Sequence, residues 1–295
     1  MPATGAATLL RYVWTHPLNA GARMAAIGRV VRWQVASRLR SAPIALPFVA
    51  GTRLAMTRGM TGATGNWYCG LHEYREMAFA LHMLRAKDCF LDVGANVGSY
   101  TVLASGAVGA RSVAVEPVPA TREHLIRNVE LNGLQERVRL WPGGLGSAVG
   151  TLRFSSSLDT VNHVLTSGED LPGVEVPVTT LDELMGDDVP ALIKIDVEGY
   201  EHEVLAGAQR TLADTRLMAV IMEVNGSGVR YGSRDAELVA AVCHHEFAAC
   251  VYDPFTRTLE AAAGSSGNVI FVRDLAAVRR RIAGAPQYVL VNGTI

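Results

Sequence analysis

The stretch Cys89-Phe-Leu-Asp-Val-Gly-Ala-Asn-Val-Gly98 decides the fold. A short apolar run, Cys89 to Val93, is followed at once by a turn with glycines at positions 94 and 98. This pattern predicts a buried strand that leads through a tight turn into a helix. Because glycine has no Cβ, Gly94 and Gly98 would let the backbone approach a nucleotide-type ligand closely.

The side chains of this turn indicate the charge of such a ligand. Asp92 precedes the first glycine, and Asn96 stands where a dinucleotide-binding turn has its middle glycine. A carboxylate repels a diphosphate and attracts a sulfonium or an amine. The turn therefore favours S-adenosylmethionine. An NAD(P)-dependent oxidoreductase is the alternative function, and a packing turn without a ligand is the structural alternative.

Strand-like and helical runs alternate after this turn. The helical runs include residues 123–131 and 201–212, and six further strand-like runs span residues 112–116, 138–141, 191–196, 217–224, 247–252 and 268–272. The alternation predicts an α/β fold with a doubly wound, mostly parallel sheet. Residues 151–154 and 174–179 interrupt it with a predicted hairpin around a polar loop.

Acidic residues also stand at the ends of other predicted strands. Glu116 ends the second strand, where a carboxylate can accept two hydrogen bonds from a ribose diol. Lys194 and Asp196 project to the same side of the fourth strand. We expect Asp196 at the carboxyl end of that strand, where it would contact the bound cofactor. If Lys194 is buried it needs an acidic partner, for which Asp92, Asp196 and Glu223 are the candidates.

The composition restricts the class of protein. The chain has 295 residues, of which 49% are hydrophobic and 19% charged, so it can bury a large core and is not disordered. No apolar run is long enough to span a membrane, and we identify no signal peptide. The four cysteines form no CxxC pair, which argues against a disulfide framework or a zinc site. We therefore expect a reduced, cytoplasmic protein.

The N-terminal segment differs from the rest in charge. Residues 1–72 contain eight arginines and no Asp or Glu, whereas the remaining residues contain 19 basic and 28 acidic side chains. We predict that residues 1–70 form a basic helical appendage that acts as a substrate lid. Its predicted apolar stripe consists of Met24, Ile27, Val31, Val35 and Leu39. A membrane-surface helix and a docking site for an acidic partner are alternatives. Membrane contact is not favoured because Arg38 interrupts the stripe, and the spread of basic residues argues against nucleic acid.

A set of motifs, in this order and spacing, resembles the FkbM family of S-adenosylmethionine-dependent methyltransferases. The motifs are FLDVGANVGSYT (90–101), VAVEP (113–117), TTLDEL (179–184), IKIDVEGYEHEVLAGA (193–208), VIMEV (220–224) and NVIFVRD (268–274). The resemblance implies a methyltransferase domain at residues 71–275, followed by a tail at residues 276–295. It also implies a Rossmann-like, seven-stranded sheet whose last strand is antiparallel.

The same resemblance implies roles for individual residues. Asp92, Gly94, Asn96 and Gly98 would hold the methionine portion of the cofactor, and Glu116 would hold its ribose. The backbone at Gly143, Gly144 and Leu145 would flank the adenine. The implied reaction is O-methylation of a hydroxyl on a sugar or another secondary metabolite, so we expect a small hydroxylated acceptor.

Transfer of a methyl group to a hydroxyl requires a general base within hydrogen-bonding reach of that hydroxyl. The candidates are Asp196 and Glu223, which end adjacent strands at the cofactor edge, and His163 in the polar loop. Asp196, Glu223 and Asn225 could instead bind Mg²⁺. Hydrogen bonding of these side chains with Lys194 is the preferred interpretation, so no metal site is predicted. A non-catalytic binding protein on the same fold is a third hypothesis.

Overall fold

The computed structural model describes residues 5–155, 162–166, 168–262 and 267–295. Within these ranges the helices, α1 to α11 in chain order, span Ala6–Thr15, Arg23–Leu39, Thr61–Cys69, Tyr74–Met83, Ser99–Val102, Pro119–Leu131, Leu181–Met185, Glu201–Ala206, Gln209–Ala213, Asp235–Cys243 and Leu275–Ala283. The strands, β1 to β15, span Ile44–Pro47, Arg53–Met56, Cys89–Val93, Arg111–Val115, Val138–Trp141, Gly144–Leu145, Gly150–Ser155, Gly173–Thr179, Leu192–Ile195, Ala219–Val224, Ala248–Asp253, Thr258–Ala261, Gly267–Val272, Val289–Leu290 and Gly293–Thr294.

The central sheet has the order β12-β11-β13-β10-β9-β3-β4-β5. Neighbours from β10 to β5 pair in parallel, whereas β13 is antiparallel to β10 and β11 on either side of it. The predicted doubly wound, mostly parallel sheet is therefore confirmed, and so is its antiparallel last strand. An eighth strand, β12, pairs with β11 at the edge and was not predicted.

Both faces of the sheet are buried, which explains the continuous apolar runs in its strands. Successive side chains alternate between two cores, as in β3, where Phe90 packs into one core and Leu91 into the other. The N-terminal segment joins the first of these cores through Trp33, Met56 and Trp67. It is therefore packed against the sheet rather than held apart from it.

The N-terminal segment contains a β-hairpin, formed by β1 and β2, between helices α2 and α3. The N-terminal helices expected for residues 1–70 are present, and the hairpin between them was not predicted. The apolar stripe predicted along α2 is mostly exposed, since Met24 and Leu39 are 74% and 79% exposed. The face that α2 buries contains Ala26, Val30 and Trp33, along with the arginine at position 29.

The arginine on the buried face of α2 explains why the more apolar side of this helix is not the side that is buried. Arg29 donates hydrogen bonds to the carbonyl of Tyr68 and to Oδ1 of Asn19. Satisfied in this way, its guanidinium can be buried beside the apolar core. Charge alone therefore does not tell which face of this helix lies inside.

Outside the central sheet, one predicted hairpin is present as expected and one predicted helix is divided in two. The predicted hairpin is confirmed as β7 and β8, which form a separate small sheet with β6. The helix expected over residues 201–212 is interrupted and forms α8 and α9. A Cβ on Gly207 would lie 2.1 Å from the carbonyl oxygen of Gly146, so only glycine permits this close approach of the two chain segments.

The residues expected to form a C-terminal tail are folded against the body of the protein. Helix α11 packs against α4, and Tyr288 and Ile295 are buried. None of the helices in the described ranges combines the length and the apolar character needed to cross a membrane.

Candidate active site

A cavity of about 240 Å³ opens at the carboxyl ends of the central strands. Its floor carries the acidic residues that follow or end four of these strands, namely Asp92, Glu116, Asp196 and Glu223. Open parallel sheets bind their ligands at this edge. The structure thus brings together acidic residues that lie far apart in the sequence.

The glycine turn has the conformation that its sequence predicts. Gly94 has φ +80°, and a Cβ there would lie 1.9 Å from the carbonyl oxygen of Asp196. Gly98 has φ +86°, and a Cβ there would meet the side chain of Leu125. Asn96 also has a positive φ, of 50°. Position 94 therefore requires glycine because of the close approach to the backbone at the end of β9, whereas position 98 favours glycine because of its positive φ.

Glu116 is fixed in the cavity by two backbone amides. The N–H of Asn96 donates to its Oε2 and the N–H of Val118 donates to its Oε1, each at 2.9 Å. Burial nevertheless raises the pKa of Glu116 to about 7. Each carboxylate oxygen has a second lone pair, so this side chain can still accept hydrogen bonds from a diol.

Asp92 lies at the bottom of the cavity and is almost fully buried. The hydroxyl of Thr101 donates a hydrogen bond of 2.6 Å to its Oδ2. Burial raises the pKa of Asp92, and the nearby charge of Lys194 opposes that rise. Thr101 fixes the carboxylate at the start of the glycine turn.

Lys194 is buried and pairs with Asp196, one of its three expected partners. Its Nζ lies 2.7 Å from Oδ2 of Asp196 and 4.9 Å from the ring centroid of Tyr100. Burial alone would lower the pKa of the ammonium, but the charges of Asp196, Glu73 and Asp92 outweigh this effect and raise it. Lys194 therefore keeps its positive charge inside the cavity.

A cluster of three carboxylates lies at the ends of β9 and β10. Asp196, Glu198 and Glu223 each place one oxygen within 4.8 Å of the others. Burial, followed by the charges of Asp196 and Glu198, raises the pKa of Glu223 to about 8. Its Oε2 is buried and has no hydrogen-bond partner within the described part of the chain. Glu223 thus has a buried acceptor atom that is available to a bound ligand.

Glu198 was missed in the sequence analysis. It has φ +55° and is followed by Gly199 at φ +107°, where a Cβ would lie 2.7 Å from the carbonyl oxygen of Ser227. This turn carries Glu198 back over the end of β9. Asn225, which had been grouped with the possible metal ligands, instead accepts a hydrogen bond from the N–H of Ser227.

Other candidate residues do not line the cavity. His163 is buried, and its Nε2 lies 3.1 Å from Oε1 of Glu169. The loop of residues 159–168 in which it was placed lies partly outside the described residues. Gly144 and Leu145 form β6, where a Cβ on Gly144 would press against the ring of Phe154. Their roles in catalysis and adenine binding remain predictions.

Another wall of the cavity comes from the end of the N-terminal segment and the residues that follow it, and the role of residues 1–70 as a lid stays a prediction. Asn66 of α3 and the residues His72 and Glu73 line it. Glu73 accepts a hydrogen bond of 2.6 Å from the hydroxyl of Tyr100. The hydroxyl of Tyr12 in α1 lies 2.8 Å from Nδ1 of His72, so α1 is tied to this wall. Trp67 of α3 does not line the cavity and packs in the first core.

The model of the methyltransferase FkbM domain matches residues 92–248, which is more than half of the chain. The chain belongs to the FkbM family of S-adenosylmethionine-dependent methyltransferases. The matched segment begins at Asp92 and includes the glycine turn, Glu116 and all three carboxylates of the cluster. The segment matched by the family model therefore supplies the floor of the cavity, whereas the wall formed by Asn66, His72 and Glu73 lies outside the match.

Known proteins similar to this FkbM-family chain include one curated relative and several solved structures. The hexuronic acid methyltransferase AglP of Haloferax volcanii is 30% identical over 150 residues, which cover 47% of this chain. The matched part spans 56% of the length of AglP. The crystal structure of methyltransferase FkbM from Methylobacillus flagellatus is 15% identical, with a TM-score of 0.44, and the match covers 84% of this chain and 60% of that one.

A second structure, that of Aeropyrum pernix fibrillarin with bound S-adenosyl-L-methionine, is also 15% identical. It has a TM-score of 0.39, and the match covers 67% of this chain and 74% of that one.

Proposed function

We propose that this protein transfers a methyl group from S-adenosylmethionine to a hydroxyl of a small sugar-type acceptor. The observation that carries the proposal is the carboxylate-lined cavity at the strand ends, in which Glu116 is held by two backbone amides. The sugar class is supported by the name of the relative AglP, a hexuronic acid methyltransferase.

The residues of the cavity fit this cofactor. Among the described residues that line it, Lys194 is the only ammonium or guanidinium group, and Asp196 pairs with it. The remaining charged groups are carboxyls, which attract a sulfonium and disfavour a diphosphate. Asp92, Gly94, Asn96 and Gly98 would hold the methionine portion, and Glu116 the ribose. Gly144 and Leu145 are kept as the predicted adenine contacts.

S-Adenosylmethionine supplies the electrophilic methyl group, so the protein needs to align the acceptor, exclude water and remove a proton. Of the three predicted bases, we assign this last role to Glu223. Asp196 is occupied by Lys194, and His163 lies off the cavity with Glu169. Glu223 has a buried oxygen without a partner and a pKa raised to about 8, near the working pH that suits a general base.

The proposal is tested with isotopically labelled S-adenosylmethionine and a panel of hexuronic acids, neutral hexoses and phenols. We expect the label to appear on a sugar hydroxyl, and calorimetry to show binding of S-adenosylmethionine but not of NAD. Binding of NAD alone would contradict the cofactor assignment. Label on nitrogen or carbon atoms would contradict O-methylation.

The same assay, repeated with the chelator EDTA, tests the alternative that the cavity binds Mg²⁺. Carboxylate oxygens are ligands that Mg²⁺ prefers, and Asp196, Glu198 and Glu223 are close enough to share an ion. Because Lys194 already supplies a positive charge to Asp196, we expect turnover to persist in EDTA. Loss of turnover in EDTA and its recovery with Mg²⁺ would instead place an ion among the three carboxylates.

A further inference from the structure

An exposed apolar surface covers one side of helices α1 and α2. We call it the N-terminal apolar face and define it by Leu10, Trp14, Met24, Val31, Val35 and Leu39. Val31 and Val35 are each 55% exposed, although α2 has a well-packed opposite face that buries Trp33. Large apolar side chains grouped in this way on a surface indicate a binding site.

Four of the six defining side chains, those of Leu10, Val31, Val35 and Leu39, line one groove. This groove between α1 and α2 is lined by Leu9 and Leu10 from one helix and by Val31, Val35 and Leu39 from the other. Along α2 the spacing of positions 24, 31, 35 and 39 keeps these side chains on one side of the helix. Both helices therefore offer their apolar side chains to the same partner.

Arginines surround this surface. Arg38 lines the groove itself, and the guanidinium of Arg23 lies 5.6 Å from the ring centroid of Trp14. Further exposed arginines in or next to the two helices are Arg11, Arg32 and Arg40. No acidic residue occurs before Glu73, so nothing within the segment offsets this charge.

We propose that the N-terminal apolar face docks on an anionic lipid surface. Apolar side chains with bordering arginines match the two layers of a membrane interface, because the former enter the acyl boundary and the latter reach the lipid phosphates. Tryptophan is enriched at this interface. Symmetric pairing with a second copy is disfavoured because it would place the arginines of the two copies face to face, where their like charges repel.

The membrane assignment changes the interpretation of Arg38. In the sequence it interrupts the apolar stripe predicted for this helix. On an exposed face the same residue lies beside Val35 and Leu39 and can extend its guanidinium to a phosphate while its methylenes cover apolar surface. The interruption therefore fits a lipid-facing helix better than a buried one.

The test is co-sedimentation of the full chain with sucrose-loaded vesicles. One set contains phosphatidylcholine alone and the other contains phosphatidylcholine with phosphatidylglycerol. We expect binding to the anionic vesicles and little to the neutral ones. The double variant Val31→Glu/Val35→Glu should lower the partition coefficient at least about tenfold, because it places carboxylates in the lipid-facing surface.

A second variant separates charge from apolar contact. Arg32→Gln/Arg38→Gln should weaken anionic binding about tenfold or more while leaving the apolar side chains intact. The matched control is Val149→Glu/Val289→Glu, which changes two valines that are 67% and 62% exposed elsewhere on the surface. The control should bind as the unchanged protein does, and all variants should keep its thermal midpoint.

Several outcomes would overturn the proposal. They are absence of binding, equal binding to both kinds of vesicle, and unchanged binding of the Val31→Glu/Val35→Glu variant. Light scattering tests a second copy as the occupant, since that variant would then convert a dimer into a monomer. Capture by soluble polyglutamate without vesicle binding would assign the face to an acidic protein partner.

Discussion

Glu223 is the residue on which the proposed chemistry depends most directly. The substitution Glu223→Gln keeps the size of the side chain but cannot accept a proton. We expect kcat to fall by about 10²- to 10⁴-fold, the usual contribution of a general base. In the unchanged protein kcat/KM should rise with pH and level off above about 8, because the pKa of Glu223 is raised to about 8 and its carboxylate must be ionised to act.

The control for this substitution is Glu260→Gln, which changes an exposed glutamate on the edge strand β12. It should leave both kcat and the pH profile unchanged. Full turnover by the Glu223→Gln variant would contradict the assignment of the base and return Asp196 and His163 as candidates.

Gly94 allows a second test at the scale of one residue, because the chain provides a matched comparison. Gly94 and Gly133 both have positive φ, but only at Gly94 would a Cβ meet another segment, 1.9 Å from the oxygen of Asp196. Gly133→Ala should lower the free energy of unfolding by about 1–2 kcal/mol. Gly94→Ala should lower it by about 2–5 kcal/mol and weaken cofactor binding.

Thermal or denaturant unfolding measures both glycine variants. Equal losses of stability would mean that the contact between Gly94 and β9 contributes nothing beyond backbone conformation.

The sequence predicted the site residues that belong to the glycine turn and to strand ends. Asp92, Glu116 and Asp196 meet in one cavity because strand order alone brings the carboxyl ends together. Glu198 was not predicted because its position depends on a loop conformation with φ +55°, which no sequence periodicity indicates. His72 was not predicted because it is held by a contact with Tyr12, 60 residues earlier in the chain. For Lys194 the sequence limited the acidic partner to three candidates. It did not tell which of them is the partner in space, because that depends on side-chain distances across neighbouring strands.

At the scale of elements, one side chain in α6 connects three parts of the fold. Asn128 is fully buried, accepts a hydrogen bond from the N–H of Ala55 in β2 and donates one to the carbonyl of Val97 in the glycine turn. Asn128→Ala would leave both backbone groups unpaired. We expect a loss of about 2–4 kcal/mol in the free energy of unfolding.

Asn132, one turn later in the chain, provides the comparison. It makes a similar pair of hydrogen bonds to the backbone of Arg53 but is partly exposed, so water can replace its side chain. Asn132→Ala should cost less than about 1 kcal/mol when measured by denaturant unfolding. A loss as large as that of Asn128→Ala would show that burial does not govern these contacts.

Elements differ in how well their sequences predict them. The seven predicted strands of the sheet are all present because each is a continuous apolar run between turn residues. Strand β12 was not predicted because it is an edge strand in which Thr258 and Glu260 are exposed, so its sequence is not a continuous apolar run. For α2 the period predicted a helix, but its two sides are both partly apolar, so the period did not tell which side is buried.

For the whole molecule, the raised pKa values of buried carboxyls determine how stability depends on pH. The pKa is about 7 for Glu116 and Glu198 and about 8 for Glu223, above the ordinary 4.5. Between about pH 4.5 and 8 these carboxyls therefore bind more protons in the folded chain than in the unfolded chain. The free energy of unfolding should fall as the pH rises through this window.

In the lower part of this window, below about pH 6.5, a second set of groups partly offsets the carboxyls. Burial lowers the pKa of His16 and His82 to about 4, so the unfolded chain binds the extra protons as the pH falls from about 6.5. Calorimetry without ligands should thus show a fall in Tm above about pH 6.5, and Glu223→Gln should make that fall shallower. A Tm that rises steadily up to about pH 8 would contradict the raised pKa values.

The hydrogen bond between Tyr12 and His72 also affects how the catalytic unit can be isolated. A fragment cut back to begin at Leu71 would retain every residue matched by the family, including Asp92 and Glu223. It would nevertheless lack the tether that orients the imidazole on the far wall, together with Asn66 beside it. Because residues 1–70 also supply Trp33, Met56 and Trp67 to the first core, truncation should destabilise the whole molecule along with this wall. Point substitutions such as Tyr12→Phe are therefore the better way to separate recognition of the methyl donor from selectivity among acceptors.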